Sequence, residues 1–227
     1  MPGSKKRLLL TVTLTIALCG ALFYSLSFGV ADLYAYSPRQ QLEHWQKTGH
    51  TPTADELALP LNNINNAIRW QPANAEFKDI RGLLNYYQAL DGYQLGQQDL
   101  FDHFTQLALS DYREATGLRP DWPYSWANLA LMKSALHQFD AEYIQALHQA
   151  TQLGPWENAV NLTVTEAGMT GWSNLDSQTR KLVINNIERG INRNNKAIKQ
   201  RLSDINKLGL ICIYLKSSEQ RQRLCGF

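Results

Sequence analysis

The segment RPDWPYSWANLALMKSALHQFDAEYIQALHQATQLGP, residues 119–155, decides the fold of this chain. Trp126, Leu129 and Ala130 place a large residue, a leucine and a small residue on one face of a first helix. A second apolar stripe follows within the segment, and Pro155 ends it because proline cannot continue a helix. The pattern predicts two short helices that pack against each other as a hairpin.

The same closure occurs three times along the chain. In each case a Pro follows an Ala by five residues, at Ala67/Pro72, Ala115/Pro120 and Ala150/Pro155. The closing prolines are 48 and 35 residues apart, against a period of about 34 residues in tetratricopeptide (TPR) proteins. We therefore expect TPR-like helical hairpins over residues 53–156, wound into a right-handed superhelix, with an insertion near residues 88–99. Such a repeat predicts a scaffold with a concave face, but it does not predict a catalytic activity.

The N-terminal part of the chain has the length and composition of a membrane span. Residues 8–31 carry no charge over 24 positions, and a helix of that length extends about 36 Å, enough for a hydrocarbon core of roughly 30 Å. The KKR at residues 5–7 precedes it and Asp32 follows, which predicts a cytoplasmic N-terminus and an exported body. We interpret residues 1–31 as a membrane anchor. The alternative is a signal peptide cleaved after Gly29-Val30-Ala31.

Helical signals continue beyond the anchor. We expect residues 32–52 to be a juxtamembrane linker, followed by a helix that Thr53 or Asp55 caps, with Glu56 completing a capping-box pattern after Thr53. After residue 156 the repeat fades, and residues 157–227 are predicted to form a helical cap with a basic tail. Its helices run from Asp176 or Ser177 to Asn192 and onward from Asn195, and residues 208–215 are read as a buried helix in preference to a strand. The prediction is an all-α chain.

Charge divides the chain into an acidic body and a basic tail. Residues 32–175 hold 8 Lys/Arg against 16 Asp/Glu, whereas residues 176–227 hold 11 against 4. The basic tail is read as the solvated face of capping helices, as a complement to the acidic body, or as a contact for an anionic polysaccharide or lipid headgroup. Nucleic acid is not expected as a partner because the tail is predicted to be exported.

The cysteines fit an exported body. Cys212 and Cys225 are disulfide candidates, since disulfides persist outside the cytoplasm, and the alternative is two unpaired buried thiols. Cys19 lies inside the apolar span, where it reads as a small packing residue.

Catalytic patterns are not found in the sequence. No HExxH, GxSxG, phosphate-binding Gly-rich loop or Cys/His nucleophile pattern occurs. The close carboxylate pairs Asp99/Asp102 and Asp140/Glu142 read as solvated helix faces. We predict no catalytic residue, no cofactor and no metal site, and hence a protein that is not an enzyme.

Aromatic residues are concentrated around the segment of residues 119–155. Three of them occupy positions where the repeat packs its own core, namely Trp126, Phe139 and Tyr143. Three others lie at hairpin boundaries and are our candidates for partner contact, namely Trp122, Tyr124 and Trp156.

The layout resembles a small bacterial family, the VpsP-type accessory proteins of exopolysaccharide biosynthesis. The resemblance is carried by the KKRLLL anchor, the ELALPLNNINNAIRWQPANAEF opening at residues 56–77, the RPDWPYSWANLALMK block at residues 119–133 and the Cys-bearing basic C-terminus. Similar helical repeats also form the periplasmic tails of O-antigen-ligase-like polymerases. The resemblance implies a single-pass protein of the bacterial inner membrane whose periplasmic body binds a protein of polysaccharide assembly or export.

Three functional hypotheses follow. The first is an interaction protein that supports exopolysaccharide biosynthesis, polymerisation or export. The second is a general periplasmic TPR adaptor for an envelope or secretion complex. The third is an envelope enzyme that acts on glycans. The residues themselves name no partner.

Overall fold

The computed structural model describes residues 2–226, without the side chains of residues 2–4 and Gln220. Over that range the chain forms ten α-helices and one short 3-10 helix, and no strand, so the all-α prediction is confirmed. The helices are α1 (Pro2–Thr48), α2 (Ala54–Trp70), α3 (Ala75–Gln94), α4 (Gln98–Leu118), α5 (Pro123–Ala135), α6 (Ala141–Leu153), α7 (Asn158–Thr170), the 3-10 helix Trp172–Asn174, α8 (Ser177–Asp204), α9 (Leu208–Tyr214) and α10 (Glu219–Cys225).

The first helix is long and apolar enough to cross a membrane. Its apolar residues from Leu8 to Leu26 are exposed. The helix does not end with the apolar stretch but continues to Thr48, so most of the segment that the sequence predicts as a linker is helical. The reason is a stripe of small and apolar side chains on one face, buried against the neighbouring helices: Ala31, Ala35, Leu42 and Trp45.

The second helix begins with the capping box that the sequence predicts. The Thr53 hydroxyl accepts a hydrogen bond from the Glu56 amide, and the Glu56 carboxylate accepts one of 2.8 Å from the Thr53 amide. These two bonds satisfy two of the unpaired amides at the helix start. Pro60 lies within the helix and is buried.

Helices α3 and α4 form an antiparallel pair. Lys78 pairs with Glu114, and the Arg81 Nε donates a 2.9 Å hydrogen bond to Asp111, so residues later in α3 meet residues earlier in α4. Gly82 lets the two helices approach, because a Cβ atom there would lie 3.0 Å from the ring of Tyr112.

Helices α7 and α8 pair in the same antiparallel way. The Asn161 side-chain amide donates a 2.9 Å hydrogen bond to Asn186 Oδ1, and Gly168 lies against Val183. Helix α8 contains one residue with non-helical backbone angles, Asn194. It therefore contains the two consecutive helices predicted after Asp176, with the break where the sequence places it.

Two short helices close the C-terminal end. Helices α9 and α10 pack on α8 and on each other, and a disulfide joins Cys212 to Cys225, whose Cα atoms are 6.0 Å apart. Residues 208–214 are helical, as expected. The buried side chains form two clusters, one built by α1, α2 and α3 and a larger one that runs from α4 to α10.

Candidate binding groove

Two cavities adjoin each other on the face that α1, α3, α5 and α7 share. The inner cavity has a volume of about 430 Å³ and the outer cavity one of about 530 Å³. Four residues line both of them: Gln46, Leu83, Tyr124 and Asn128. Because the lining is shared, the two cavities form one continuous depression, which we call the helix groove.

Aromatic rings line much of the helix groove. Tyr86 and Tyr87 of α3 border the inner cavity, and Trp122 borders the outer one. Burial raises the pKa of both tyrosines. Their phenols are therefore neutral at physiological pH and present apolar ring faces together with hydroxyl donors.

Tyr124 links the groove to the start of α7. Its hydroxyl donates a 2.7 Å hydrogen bond to the Glu157 carboxylate. Partial burial, followed by this bond to an anion, raises the pKa of Tyr124 to about 12. The ring is thereby held in place on the wall of both cavities.

An arginine and an aspartate organise the outer cavity. The Arg119 guanidinium carbon lies 4.1 Å from the centre of the Trp122 ring, and Arg119 Nη2 donates a 3.1 Å hydrogen bond to Asp79. The Ser125 hydroxyl donates a second bond to Asp79, of 2.7 Å. Burial raises the pKa of the Asp79 carboxyl, and the bonds from Ser125 and Arg119 act against that rise. Trp122 is thus positioned by a cation that is itself held by α3.

Two further ion pairs fix the groove walls. Arg39 of α1 donates a 2.7 Å hydrogen bond to Glu76 of α3, which ties the long first helix to the body. Arg201 of α8 donates a 2.7 Å hydrogen bond to Glu166 of α7 in the inner cavity. Since each arginine faces a carboxylate, the groove carries charges of both signs and no strong field of one sign.

Two side-chain amides of the groove are without a hydrogen-bond partner in the described part of the chain. Gln46 and Asn128 line both cavities, and neither makes a side-chain hydrogen bond to another of residues 2–226. An amide offers a donor and an acceptor to any bound group. The groove therefore combines apolar ring faces with open hydrogen-bonding groups, a lining that suits a polypeptide segment with its repeated N–H and C=O groups.

The structure brings together two of the three predicted contact residues. Trp122 and Tyr124 both line the groove, and their ring centres are 5.1 Å apart. Trp156 lines neither cavity and lies on the turn before α7, 59% exposed. The residues expected to pack the core behave differently from these: Tyr143 is fully buried, and Trp126 and Phe139 pack against the larger cluster.

Several groove residues cannot be identified from the sequence alone. Gln46 falls in the segment predicted as a linker, and the pairing of Arg39 with Glu76 spans 37 positions. The only local signal is the spacing of Leu83, Tyr86 and Tyr87, which puts three large residues on one face of α3.

The close carboxylate pairs noted in the sequence lie outside the groove lining. Asp140 and Glu142 both accept a hydrogen bond from Lys133, at 2.9 and 2.7 Å, and Asp102 accepts one from Gln98 on an exposed helix face. Within residues 2–226 no group of three His, Cys, Asp or Glu side chains is placed to hold a metal ion.

A smaller pocket lies outside the helix groove, where the basic tail meets the body. It lies between α6 and α8 and has a volume of about 320 Å³. Lys181, Arg189 and His148 line it together with side-chain amides. Burial lowers the pKa of Arg189, whose Nε is buried without a hydrogen-bond partner in the described chain.

Comparison of the sequence with models of protein families and with curated proteins gives no match.

Proposed function

We propose that the protein is a membrane-anchored interaction protein whose helix groove binds a segment of a partner protein. One observation carries the proposal: the amides of Gln46 and Asn128, which are unpaired within residues 2–226, and the rings of Tyr87, Trp122 and Tyr124 face the same groove. The rings supply contact area at low entropic cost, and the amides pair with the backbone of a bound segment.

The array of helices behind the groove is proposed to be a TPR-like right-handed superhelix. The antiparallel pair α3 and α4 supports this, as do the close contact of Gly82 with Tyr112 and the proline that follows α2, α4 and α6. In this proposal α1, α3, α5 and α7 form the concave face, and α8 to α10 cap the array.

The location is proposed from the first helix and the cysteines. α1 holds the protein in a bacterial inner membrane, with the N-terminus in the cytoplasm and the body in the periplasm. The KKR before the span supports this orientation. The disulfide between Cys212 and Cys225 supports an oxidising compartment.

The partner is proposed to belong to the machinery of polysaccharide assembly or export. This step rests on the resemblance to VpsP-type proteins. The pocket of Lys181 and Arg189 adds a site whose positive charge suits an anionic glycan. A general envelope adaptor would use the same groove, so the identity of the captured partner separates the two hypotheses.

Photo-crosslinking in the source cells tests the proposal. A benzoylphenylalanine at Leu83, which lines both cavities, is expected to capture a polysaccharide-assembly or export protein. The control position is Leu107, which is exposed on α4 and lines neither cavity.

Each outcome has a defined meaning. Capture of an unrelated envelope protein at Leu83 supports the groove and overturns the polysaccharide context. Equal capture at Leu83 and Leu107, or no protein captured at Leu83, overturns the groove as a binding site.

A further inference from the structure

Three turns of the chain lie at the same edge of the helix array. They are residues 71–74, 119–122 and 154–157, which follow α2, α4 and α6, respectively. A chain of contacts joins them: Arg39 to Glu76, Arg119 and Ser125 to Asp79, and Tyr124 to Glu157. We call this edge the span-side edge.

The first of these turns touches the apolar helix itself. The Gln71 side-chain amide donates a 2.6 Å hydrogen bond to the Ser27 hydroxyl of α1. Counting from Leu8, a hydrocarbon core of roughly 30 Å corresponds to about 20 helical residues. Ser27 then stands at the boundary between hydrocarbon and headgroups. This step rests on the proposed membrane anchor.

Exposed large apolar side chains recur along the span-side edge. Helices α2, α4 and α6 end in Trp70, Leu118 and Leu153, respectively. The turns after α4 and α6 add Trp122 and Trp156. Each of these five residues is 39 to 59% exposed. On the opposite edge, the exposed large apolar residues of the described chain lie at the α3–α4 turn, with Tyr93, Leu95 and Leu100, and beside Trp172, with Ile213 and Tyr214. Trp172, at the α7–α8 turn on that opposite edge, is buried.

The distribution of tryptophan indicates what covers this edge. Tryptophan is enriched at the membrane–water interface because its ring is apolar and its N–H is polar. Exposed Arg69, Asp121 and Glu157 lie on the same edge, so it carries charges of both signs. The edge suits a layer of zwitterionic headgroups.

We propose that the span-side edge rests on the headgroup layer of the bilayer that holds α1, with Trp70, Trp122 and Trp156 immersed in that layer. The body then lies against the membrane instead of standing clear of it. Trp122 also borders the outer cavity, so the helix groove opens at the bilayer surface. The segment that enters it is the juxtamembrane part of a membrane protein.

Quenching of tryptophan emission by brominated lipid tests the proposal on the full-length protein. The protein is reconstituted in phosphatidylcholine vesicles, with and without phosphatidylcholine brominated near the top of its acyl chains. Trp70→Phe, Trp122→Phe and Trp156→Phe are each expected to remove about a third of the quenched emission, since tryptophans at one interface share a similar depth. Addition of anionic lipid is expected to leave the quenching unchanged.

Two variants serve as matched controls. Trp45→Phe removes a buried tryptophan of α1 and is expected to leave the quenched emission unchanged. Tyr93→Trp places a tryptophan on the opposite edge and is expected to add emission that brominated lipid does not quench. Circular dichroism verifies that each variant keeps its helix content.

An alkaline carbonate wash separates the two ways in which the proposal fails. If the protein stays with the vesicles but the three substitutions leave the quenching unchanged, the edge stands clear of the bilayer while the anchor holds. If the wash releases the protein, the membrane anchor fails and the edge proposal fails with it. The proposal is also overturned if brominated lipid quenches the tryptophan emission added by Tyr93→Trp as strongly as it quenches that of Trp70, Trp122 and Trp156.

Discussion

Gly168 of α7 lies so close to Val183 of α8 that a Cβ atom at position 168 would come within 2.6 Å of Val183 Cγ2. Gly168→Ala is therefore expected to lower the free energy of unfolding by about 1–3 kcal/mol, as overpacking of a closed core does. Urea unfolding in detergent, followed by circular dichroism, measures the change.

Gly117 of α4 provides the control for this substitution. A Cβ atom there would meet no atom within 4 Å. Gly117→Ala is expected to raise the free energy of unfolding by about 0.5–1 kcal/mol, because alanine restricts the unfolded chain. Equal effects of the two substitutions on the free energy of unfolding would show that the contact between Gly168 and Val183 leaves room for a Cβ atom.

Glu142 is held by two cations, and its stabilisation is expected to depend on pH. Arg113 donates two hydrogen bonds to its carboxylate, of 2.7 and 2.8 Å, and Lys133 donates another. The bonds from Arg113, followed by those from Lys133, lower the pKa of Glu142 to about 2 despite partial burial. Since the pKa in the unfolded chain is about 4.3, the stabilisation is present above that pH and is lost as the pH falls toward 2.

Glu142→Gln tests this expectation. The variant is expected to lose about 1 kcal/mol at neutral pH, because these charges are partly screened by solvent, and to show a weaker fall in stability between pH 5 and pH 2. Asp99→Asn is the control, since Asp99 is exposed and has no ion-pair partner in the described chain. An unchanged pH dependence in Glu142→Gln would show that other carboxylates govern acid unfolding.

Arg119 connects Trp122 to Asp79, and its loss is expected to weaken one end of the groove. Arg119→Ala is expected to lower the free energy of unfolding by about 1–2 kcal/mol, because both the cation–π contact and a partly buried ion pair are removed. The deficit is expected to grow as the pH rises through the pKa of Asp79, which burial already raises, since the ionised carboxylate then has no cation. Arg119→Lys retains the charge without the planar stack, and its free energy of unfolding is expected to lie between those of the unsubstituted protein and Arg119→Ala. A deficit that is independent of pH would contradict the role given to Asp79.

The disulfide between Cys212 and Cys225 gives a direct chemical prediction. The chain has three cysteines, so the denatured, unreduced protein is expected to accept one alkyl group, at Cys19, and the reduced protein three. Intact-mass measurement distinguishes the two states. Cys225→Ser is expected to destabilise the cap by about 3 kcal/mol on the chain-entropy model and to expose α10 to protease. Three alkyl groups without reduction would show that the thiols are unpaired in the isolated protein.

Local signals in the sequence were sufficient for most helices. Thr53 with Glu56 and the side chain of Asp176 start α2 and α8, and Pro follows the ends of α2, α4 and α6. These signals act over a few residues, so a single sequence displays them.

Long-range contacts account for what the sequence did not predict. The extent of α1 depends on Ala35 and Leu42, whose burial becomes apparent only when the neighbouring helices are in place. The same holds for the groove, where Arg119 and Asp79 meet across 40 positions. Trp122 and Trp156 both lie at hairpin boundaries in the sequence, yet only Trp122 lines the groove.

The continuity of α1 has a mechanical consequence. One helix supplies both the apolar stretch at residues 8–31 and, through Arg39, Leu42 and Gln46, a wall of the groove. In the proposed anchored state, a bilayer thinner than the apolar stretch tilts that stretch to keep it within hydrocarbon. Because the ion pair of Arg39 with Glu76 ties α1 to the body, the tilt turns the body with it, so membrane thickness becomes a variable that sets the angle at which the groove meets the bilayer.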